Sequence, residues 1–509
     1  MIAGIGAEGN ALLQPSPAVQ MAAGAGVDLL FANPPSPDGD TWIRCQYRAG
    51  QRAPDGTVWP QTALAQLAAL FPDRRVAVVD AVARRLGRVA MVQELERLRP
   101  RWYVTQVAGP TLAADVQCLA AAQRLGARTV ALGPIASPAA RELLWRYPAL
   151  DYCLVGEPEL TLRELVDTVD GIGSHLLALA HLLPKDGGRP RTLGAVSGLA
   201  WRHEGEVLIN APRPPLARLD DLPLPAHDLL PLRLYGAPHV RTPAAMVVTG
   251  RGCPAACCFC LKHVLHGSTV RLRSPEAMVE EMALLRDMGV RHIYMQADHF
   301  GACREQVLGI CRHLMEAGLG LTWSCSMRVD AADEDLLAAM AGAGCRRITW
   351  AVETANEMLL WRCGKGTSTA QVEPALEWAR RAGIHNWASF IFGLPGETET
   401  TIRETIAAAR KWPLERAVFE LAVPRPGTPL WEQALGQGWL RPDAHWEQGD
   451  ASGPSLLDYP GLSAWQLEQW LERAYRDWAL RPGSIWGDLR LLSPHLASGH
   501  QAPAGWLPT

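Results

Sequence analysis

Short apolar runs of strand length alternate with helix-like segments along most of the chain, and this alternation restricts the fold more than any other feature. In the first third the runs are VDLLFAN (27–33), RVAVVDA (75–81), WYVTQVA (102–108), RTVALGP (128–134) and YCLVGE (152–157). Runs that are apolar on both faces suit buried strands, and strands separated by helices pair in parallel under helices on both sides. A second series begins at Met246: MVVTG (246–250), RHIYMQAD (291–298), LTWSCSMR (321–328), RRITWAVE (346–353), NWASFIFG (386–393) and RAVFELAV (416–423). The best-marked helix of this series is SPEAMVEEMALLRDMG, with Ser274 as N-cap, Pro275 at its first position and Gly289 as its stop. The expected fold class is α/β: an N-terminal doubly wound, flavodoxin-like domain, then a partial (β/α)6 barrel and a small helical C-terminal region.

A chain of 509 residues exceeds one typical domain. Residues 196–210 read as a hairpin turning at Glu204-Gly205, and APRPPLARLDDLPLPAHDLLPL reads as a stiff linker with a boundary near 215. The expected division is a mobile tail over 1–26, the doubly wound domain over 27–195 and the hairpin and linker over 196–240. The barrel follows over 241–430, then a Trp-rich helical region over 431–509 whose helix from Ser463 ends at RPG (481–483). The loop TWIRCQYRAGQRAPDGTVW (41–59) is long and irregular; it either covers a ligand or is a surface excursion.

A formal net charge of -3 argues against a nucleic-acid binder driven by phosphate contacts. No apolar run approaches the roughly 18 residues needed to span a membrane, and the N-terminus lacks the pattern of a signal peptide. A cytoplasmic location follows as an expectation, where thiols stay reduced and clustered cysteines point to metal. The 19 Trp against 7 Phe either fill core positions or line a pocket for a flat, greasy ligand.

Directly after the first strand of the second series stands TGRGCPAACCFC (249–260). Active sites of parallel barrels lie at such strand ends. Cys253, Cys257 and Cys260 have the spacing C-x3-C-x2-C. A structural zinc site wants four ligands, and His263 or His266 could supply the fourth. Three thiolates on a four-iron cluster instead leave one iron open for a small molecule to chelate. Cys258 sits between two of the ligands and is expected to point away.

At these residues the chain resembles the radical S-adenosylmethionine (SAM) superfamily, whose signature is C-x3-C-x-aromatic-C, with Phe259 as the aromatic. QADHF (296–300) is similar to the acidic motif after the second barrel strand, Asp298 matching its second acidic position. SMRVD carries Arg328 at the end of the third. WAVETANEMLLWRCGKG resembles a Gly-x-Glu-Ser-Gly stretch in which Glu353 is kept, while Ala351 replaces the glycine and Thr354 the serine. FIFGLPGETE and PRPGTPLW match segments at the fifth and sixth strands. The resemblance implies a [4Fe-4S] cluster on Cys253, Cys257 and Cys260, with SAM chelating the open iron through its amino and carboxylate groups. One electron, from a donor such as flavodoxin or ferredoxin, would then cleave SAM to methionine and a 5′-deoxyadenosyl radical. Phe259, Asp298, Arg328, Glu353 and Gly393 are the implied SAM contacts. Plainer roles stay open: Arg328 as an ion-pair partner of Asp330 or Asp333, Glu353 as a helix cap, and residues 393–396 as shapers of the backbone.

A doubly wound domain ahead of such a barrel resembles the cobalamin-binding class of the superfamily, which includes methyltransferases and the anaerobic magnesium-protoporphyrin monomethyl ester cyclase. FANPP, VALGP and LVGEPELTLREL are similar to its NPP, GGP and GE-x-E-T stretches, although GGP reads Leu132-Gly133-Pro134 here. Ligands of doubly wound sheets sit at the carboxyl ends of the strands. Asn33, Pro34, Gln106, Gly133, Gly156 and Glu157 are therefore the implied cobalamin contacts. No Asp-x-His-x-x-Gly motif occurs, which implies cobalamin without a histidine from the protein as lower ligand. The expected function is methylation of an unactivated carbon of a small organic, hydrophobic substrate. The alternative is an oxidative cyclisation or ring rearrangement of the cyclase type. An iron–sulfur electron carrier is the third reading, and an open iron argues against it.

Overall fold

The apolar runs of the first series become β1 (Leu29–Asn33), β4 (Val76–Asp80), β5 (Trp102–Gln106), β6 (Arg128–Leu132) and β7 (Tyr152–Leu154) in the computed structural model, with the hairpin β2 (Trp42–Cys45) and β3 (Arg48–Arg52) after β1. The structure describes residues 26–171 and 192–481 apart from 47, 54 and 239. The expected N-terminal tail up to residue 25 and Pro482 and Gly483 lie outside the described residues.

β8 (Leu199–His203) and β9 (Glu206–Ile209) complete a sheet of order β4-β1-β5-β6-β7-β8-β9. Its first five strands are parallel, and β8 and β9 add antiparallel at the edge. In chain order the parallel strands run 2-1-3-4-5, a doubly wound arrangement whose switch point lies between β1 and β5. All five residues of β1 are buried. Leu30 and Ala32 pack into one core with Tyr103 and Ala131, and Leu29 and Phe31 into another with Trp102 and Val104. That is the reason these runs show no polar face.

The second series forms β10 (Ala244–Arg251), β11 (Arg271–Leu272), β12 (His292–Phe300), β13 (Thr322–Met327), β14 (Cys345–Glu353), β15 (His385–Phe392) and β16 (Arg416–Leu421). The order is β11-β10-β12-β13-β14-β15-β16, and all neighbours except the short edge strand β11 are parallel. Along β14, β15 and β16 the residues packed into the core (Ile348, Trp350, Phe390, Phe419) are buried, while their alternates (Thr349, Ala351, Ser389, Ile391, Val418, Glu420) stay half-exposed. On these three strands the half-exposed face lacks a covering helix and faces the interior of the partial barrel, its lumen.

Three expectations change. The stretch 41–59 is not irregular: its first part is the β2–β3 hairpin, and the rest closes the gap between the first and last barrel strands. Gln51 hydrogen-bonds Glu420 of β16, and Asp55 pairs with Arg416 at 3.0 Å. Trp59 then stacks on Tyr294 at 4.9 Å between ring centroids, and the Thr62 hydroxyl donates to the Met246 carbonyl of β10 at 3.0 Å. The predicted hairpin at 196–210 is present but extends the first sheet instead of leading into a linker. The Pro-rich stretch, read as a stiff linker, also packs against both domains. Its leucines alternate with prolines and bury: Leu216 and Leu219 pack on Leu160, and Leu230, Leu232 and Tyr235 enter the barrel core. The Tyr235 hydroxyl donates to Asp80 of the first sheet at 3.0 Å, so this segment joins the two sheets.

The tryptophans divide as the plainer reading expects. Trp102, Trp323 and Trp350 are fully buried core residues, and Trp145, Trp361 and Trp465 are exposed. Trp59 and Trp387 differ: they lie with Tyr294, Arg347 and Arg416 at the base of the lumen, Trp387 between Arg347 (4.1 Å) and Arg416 (4.6 Å).

Candidate functional site

β10 ends at Arg251, and Gly252 turns the chain with φ +85°, where an added Cβ would run into the Thr269 carbonyl. Only glycine fits that approach. The loop that follows is pinned from three sides. The Cys253 amide donates to the Gly267 carbonyl at 3.2 Å, the Cys258 amide to Cys363 at 2.8 Å, and Leu430 to the Cys258 carbonyl at 2.9 Å. Gly364 abuts Ala256, with no room for a side chain. Segments after β14 and β16 therefore hold the cysteine loop against the barrel mouth.

The four thiols differ in their surroundings. Cys258 packs in an apolar cluster with Cys363, Leu394, Ala422 and Leu430, and Phe259 packs half-buried against the same group. Cys253, Cys257 and Cys260 are absent from that cluster. Burial pushes the Cys257 thiol up to about 12 and the Cys260 thiol upward as well. Thiolates there need a strong positive charge beside them, and an iron cluster supplies one. Both histidines that could complete a zinc site are engaged elsewhere: His263 Nε2 donates to the Ala255 carbonyl at 2.6 Å, and His266 Nδ1 bonds Asp298 at 2.7 Å. The donor set therefore fits a cluster with one open iron.

The SAM-implied residues gather around this loop. Asp298, 6% exposed, accepts from the Gly252 amide and from His266, each at 2.7 Å; its other oxygen has no hydrogen-bond partner. Burial works against its charge, but His266 and Lys262 outweigh burial and hold the carboxyl below its usual range. Arg328 makes the ion pair with Asp330 that its plainer reading expects, at 2.7 Å. Glu353 has φ +70°, an unusual left-handed conformation for a glutamate, and binds the buried Lys365 at 2.6 Å. Gly393 has φ +87°, and its carbonyl accepts from the Tyr459 hydroxyl at 2.8 Å.

Beside Gly393, the Glu397 carboxyl is buried, with Oε2 unpartnered, and burial pushes it up to about 7. A carboxyl raised from 4.5 in the unfolded chain adds stability below 4.5 that is lost as pH rises through about 7. Glu397→Gln, neutral throughout, is expected to melt with the wild type at pH 5. At pH 8.5 it should be more stable by about 2 kcal/mol; melting curves at both pH values measure this.

In the first sheet, Asn33 and Gln106 end β1 and β5 and so flank the switch point. Asn33 donates to Asp80 at 2.8 Å and accepts from Arg44 at 3.0 Å. Arg44 also binds the Pro34 and Pro35 carbonyls (2.9 and 3.0 Å), the Thr111 hydroxyl (2.8 Å) and Asp115 (3.1 Å). Burial pushes Asp115 up to about 6 despite that cation. Gln106, only 2% exposed, has no partner for either amide atom. A buried amide without partners costs stability unless a ligand satisfies it, so this crevice fits a large amide-bearing group such as cobalamin. Gly133 (φ +117°) starts the turn into helix Ala136–Arg146, and the Gly156 amide donates to Ser137 of that helix at 3.0 Å.

Glu157 departs from its expected cofactor contact. Its carboxylate accepts from the Leu216 amide at 2.8 Å and pairs with Arg271 at 2.7 Å, while Glu159 pairs with Arg251 at 2.5 Å. Both acids sit at the start of helix Pro158–Asp170 and clamp the first sheet to the end of β10, two residues before Cys253. The carboxyl ends of the two parallel sheets consequently meet. Sequence reasoning missed Arg44, Asp80, Asp115, His299 and Lys365. Only Lys365, flanked by glycines in CGKG, and His299, inside QADHF, carried a local signal.

Comparison with known proteins agrees with this arrangement. The Radical SAM superfamily pattern matches residues 247–409. An uncharacterized methyltransferase of Pyrococcus horikoshii is 31% identical over 67% of this chain and 70% of its own length. The anaerobic magnesium-protoporphyrin IX monomethyl ester cyclase of Cereibacter sphaeroides is 25% identical, and the match spans 70% of this chain but only 57% of the cyclase. Among solved structures, the radical SAM methyltransferase TsrM of Kitasatospora setae, with cobalamin and a [4Fe-4S] cluster bound, shares the fold with a TM-score of 0.63 at 17% identity, over 82% of this chain and 76% of that one. With its cysteine loop at the mouth of a partial barrel and a doubly wound domain docked against it, the chain belongs to the radical SAM superfamily of enzymes.

Proposed function

We propose that the protein is a cobalamin-dependent radical SAM methyltransferase that methylates carbon in a small organic substrate held in the barrel lumen. The observation that carries this reading is the unpartnered Gln106 amide at the switch point of a sheet whose carboxyl edge is clamped to the end of β10 and to β11, on either side of the cysteine loop in the chain. The groups supply, when bound, one-electron cleavage of SAM and a methyl group for transfer to carbon. Cys253, Cys257 and Cys260 hold the cluster. The Glu353–Lys365 pair and Arg328 set the charge beside it, and Phe259, Asp298 and Gly393 shape the SAM site. Asn33, Pro34, Gln106, Gly133 and Gly156 form the cobalamin crevice, and Glu157 contributes by docking. The lumen offers Ser326, Thr349, Ser389 and Glu420 to the substrate over an aromatic base of Trp59 and Trp387. An external one-electron donor reduces the cluster, which places the protein in a reducing cytoplasm. Among the described residues no helix is long and apolar enough to cross a membrane.

The cyclase relative favours a second reading, in which radical chemistry closes or rearranges a ring. Anaerobic protein reconstituted with iron, sulfide and hydroxocobalamin, given SAM labelled in its methyl group, separates the two. Label in the product is expected. Unlabelled product accompanied by 5′-deoxyadenosine would replace methyl transfer with rearrangement.

A further inference from the structure

PRPGTPLW, after β16, carries an arginine, Arg425, to which neither the motif nor the methyltransferase reading gives a role. Its backbone is fixed. Pro424 and Pro426 flank it and limit its conformations, and its carbonyl accepts from the Thr428 amide at 3.1 Å and the Thr428 hydroxyl at 2.7 Å. Two residues on, a Cβ added to Gly427 would stand 2.9 Å from Pro138 of the first domain and 3.2 Å from Val264, just after the cysteine loop. Arg425 is thereby held where the barrel mouth, the cysteine loop and the doubly wound domain meet. Its charged neighbours are Glu420 of β16, Cys260 and Asp450. Glu420 accepts from Gln51, and Asp450 accepts from Arg52 at 3.3 Å and from the Ser452 amide and hydroxyl at 3.0 and 2.9 Å. Among the described residues the Arg425 guanidinium has no hydrogen-bond or ion-pair partner. Burial holds it below its usual range against the pull of those three neighbours. The side chain nevertheless stays half-buried, so it borders open space instead of packed core.

A charge sunk this deep without a partner is costly, and a ligand of opposite charge removes that cost. A guanidinium offers its donors as a planar fork, which matches the oxygens of a carboxylate, phosphate or phosphonate. The residues read as SAM contacts follow the cysteine loop and the ends of β12 to β15, and the cobalamin crevice lies in the first sheet. Arg425 belongs to neither set, and it neighbours Glu420, which the lumen offers to the substrate. We propose that Arg425 binds an oxyanion group of the substrate at the lumen mouth, so that the substrate is an organic acid or an organic phosphate or phosphonate. This rests on the reading that the barrel lumen holds the substrate.

NMR line-broadening titrations with methylphosphonate and with acetate, and with acetamide as the neutral probe, test this on anaerobically reconstituted protein loaded with SAM and hydroxocobalamin. Wild type, Arg425→Gln and Arg425→Lys are compared. Wild type should bind both anions and not acetamide. Arg425→Gln should bind the anions about tenfold more weakly, and Arg425→Lys, which keeps the charge but not the fork, should recover part of that loss. Iron content and the affinities for SAM and hydroxocobalamin, measured on the same samples, should match wild type in both variants. Equal anion affinity in wild type and Arg425→Gln overturns the assignment, as does the absence of anion binding in a wild type that carries its cluster and cleaves SAM. Weakened SAM or hydroxocobalamin binding in Arg425→Gln also overturns it, because the guanidinium would then serve the carboxylate of SAM or the phosphate of cobalamin. Lost iron in that variant would make Arg425 a counter-charge of the cluster instead. If wild type neither assembles a cluster nor cleaves SAM, the methyltransferase reading fails and the substrate assignment fails with it.

Discussion

Alanine at Cys257 is expected to lower iron from about four atoms per chain to background and to abolish SAM cleavage. Alanine at Cys253 or Cys260 should do the same, while Cys258→Ala should keep both. The physical difference is where each thiol sits. Cys258 fills an apolar cluster with Cys363, Leu394 and Leu430, so its loss removes packing only. The other three lie on a loop whose amides and carbonyls are tied to Gly267, Cys363 and Leu430, so the fold is expected to remain when one thiol is removed. Iron and sulfide analysis with the optical spectrum of anaerobically reconstituted protein measures this. Loss of iron in Cys258→Ala with retention in Cys257→Ala would reverse the assignment of ligand and bystander.

Arg44→Met is expected to cost about 3–5 kcal/mol, because it leaves Asp115 buried without its cation. The melting temperature of the first domain should fall by about 10 °C. Arg44 is 1% exposed and holds five partners: Asn33 at the end of β1, the Pro34 and Pro35 carbonyls after it, Thr111, and Asp115 in the helix Leu112–Arg124. The same variant should therefore bind hydroxocobalamin more weakly. Adding Asp115→Asn removes the stranded carboxyl and should recover more than half of the lost stability. Thermal melts of the single and double variants measure the coupling. An unchanged melting temperature in Arg44→Met would show that the ion pair contributes nothing net.

Much of the fold was legible in the sequence, and the reason is local. β1 and β5 are buried on both faces, so their runs are continuously apolar; the helix at Pro275–Asp287 is announced by Ser274, whose side chain accepts from Ala277, and by Pro275. The separate setting of Cys258 was legible because it interrupts the C-x3-C-x2-C spacing, which is written within eight residues. The stretch at 41–59 was not. Arg48 and Gln51 pair as a strand only against residues of the same hairpin, and its polar composition gives no apolar alternation to detect. The Pro-rich segment misled for the opposite reason: proline frequency suggests a spacer, while the leucines between the prolines are what bury.

The sequence by itself determined the two parallel sheets, the order of the barrel motifs and the spacing of the three cysteines, since periodicity, caps and short spacings all act within a few turns of chain. Tertiary structure alone decided which polar groups meet. Arg44 reaches Asp115, Gln51 closes the barrel seam on Glu420 from 369 residues away, and Glu157 turns from the crevice to bind Arg271. Those partners are chosen by which charged side chains the packed sheets bring into one buried space, where an unpaired charge costs too much to persist.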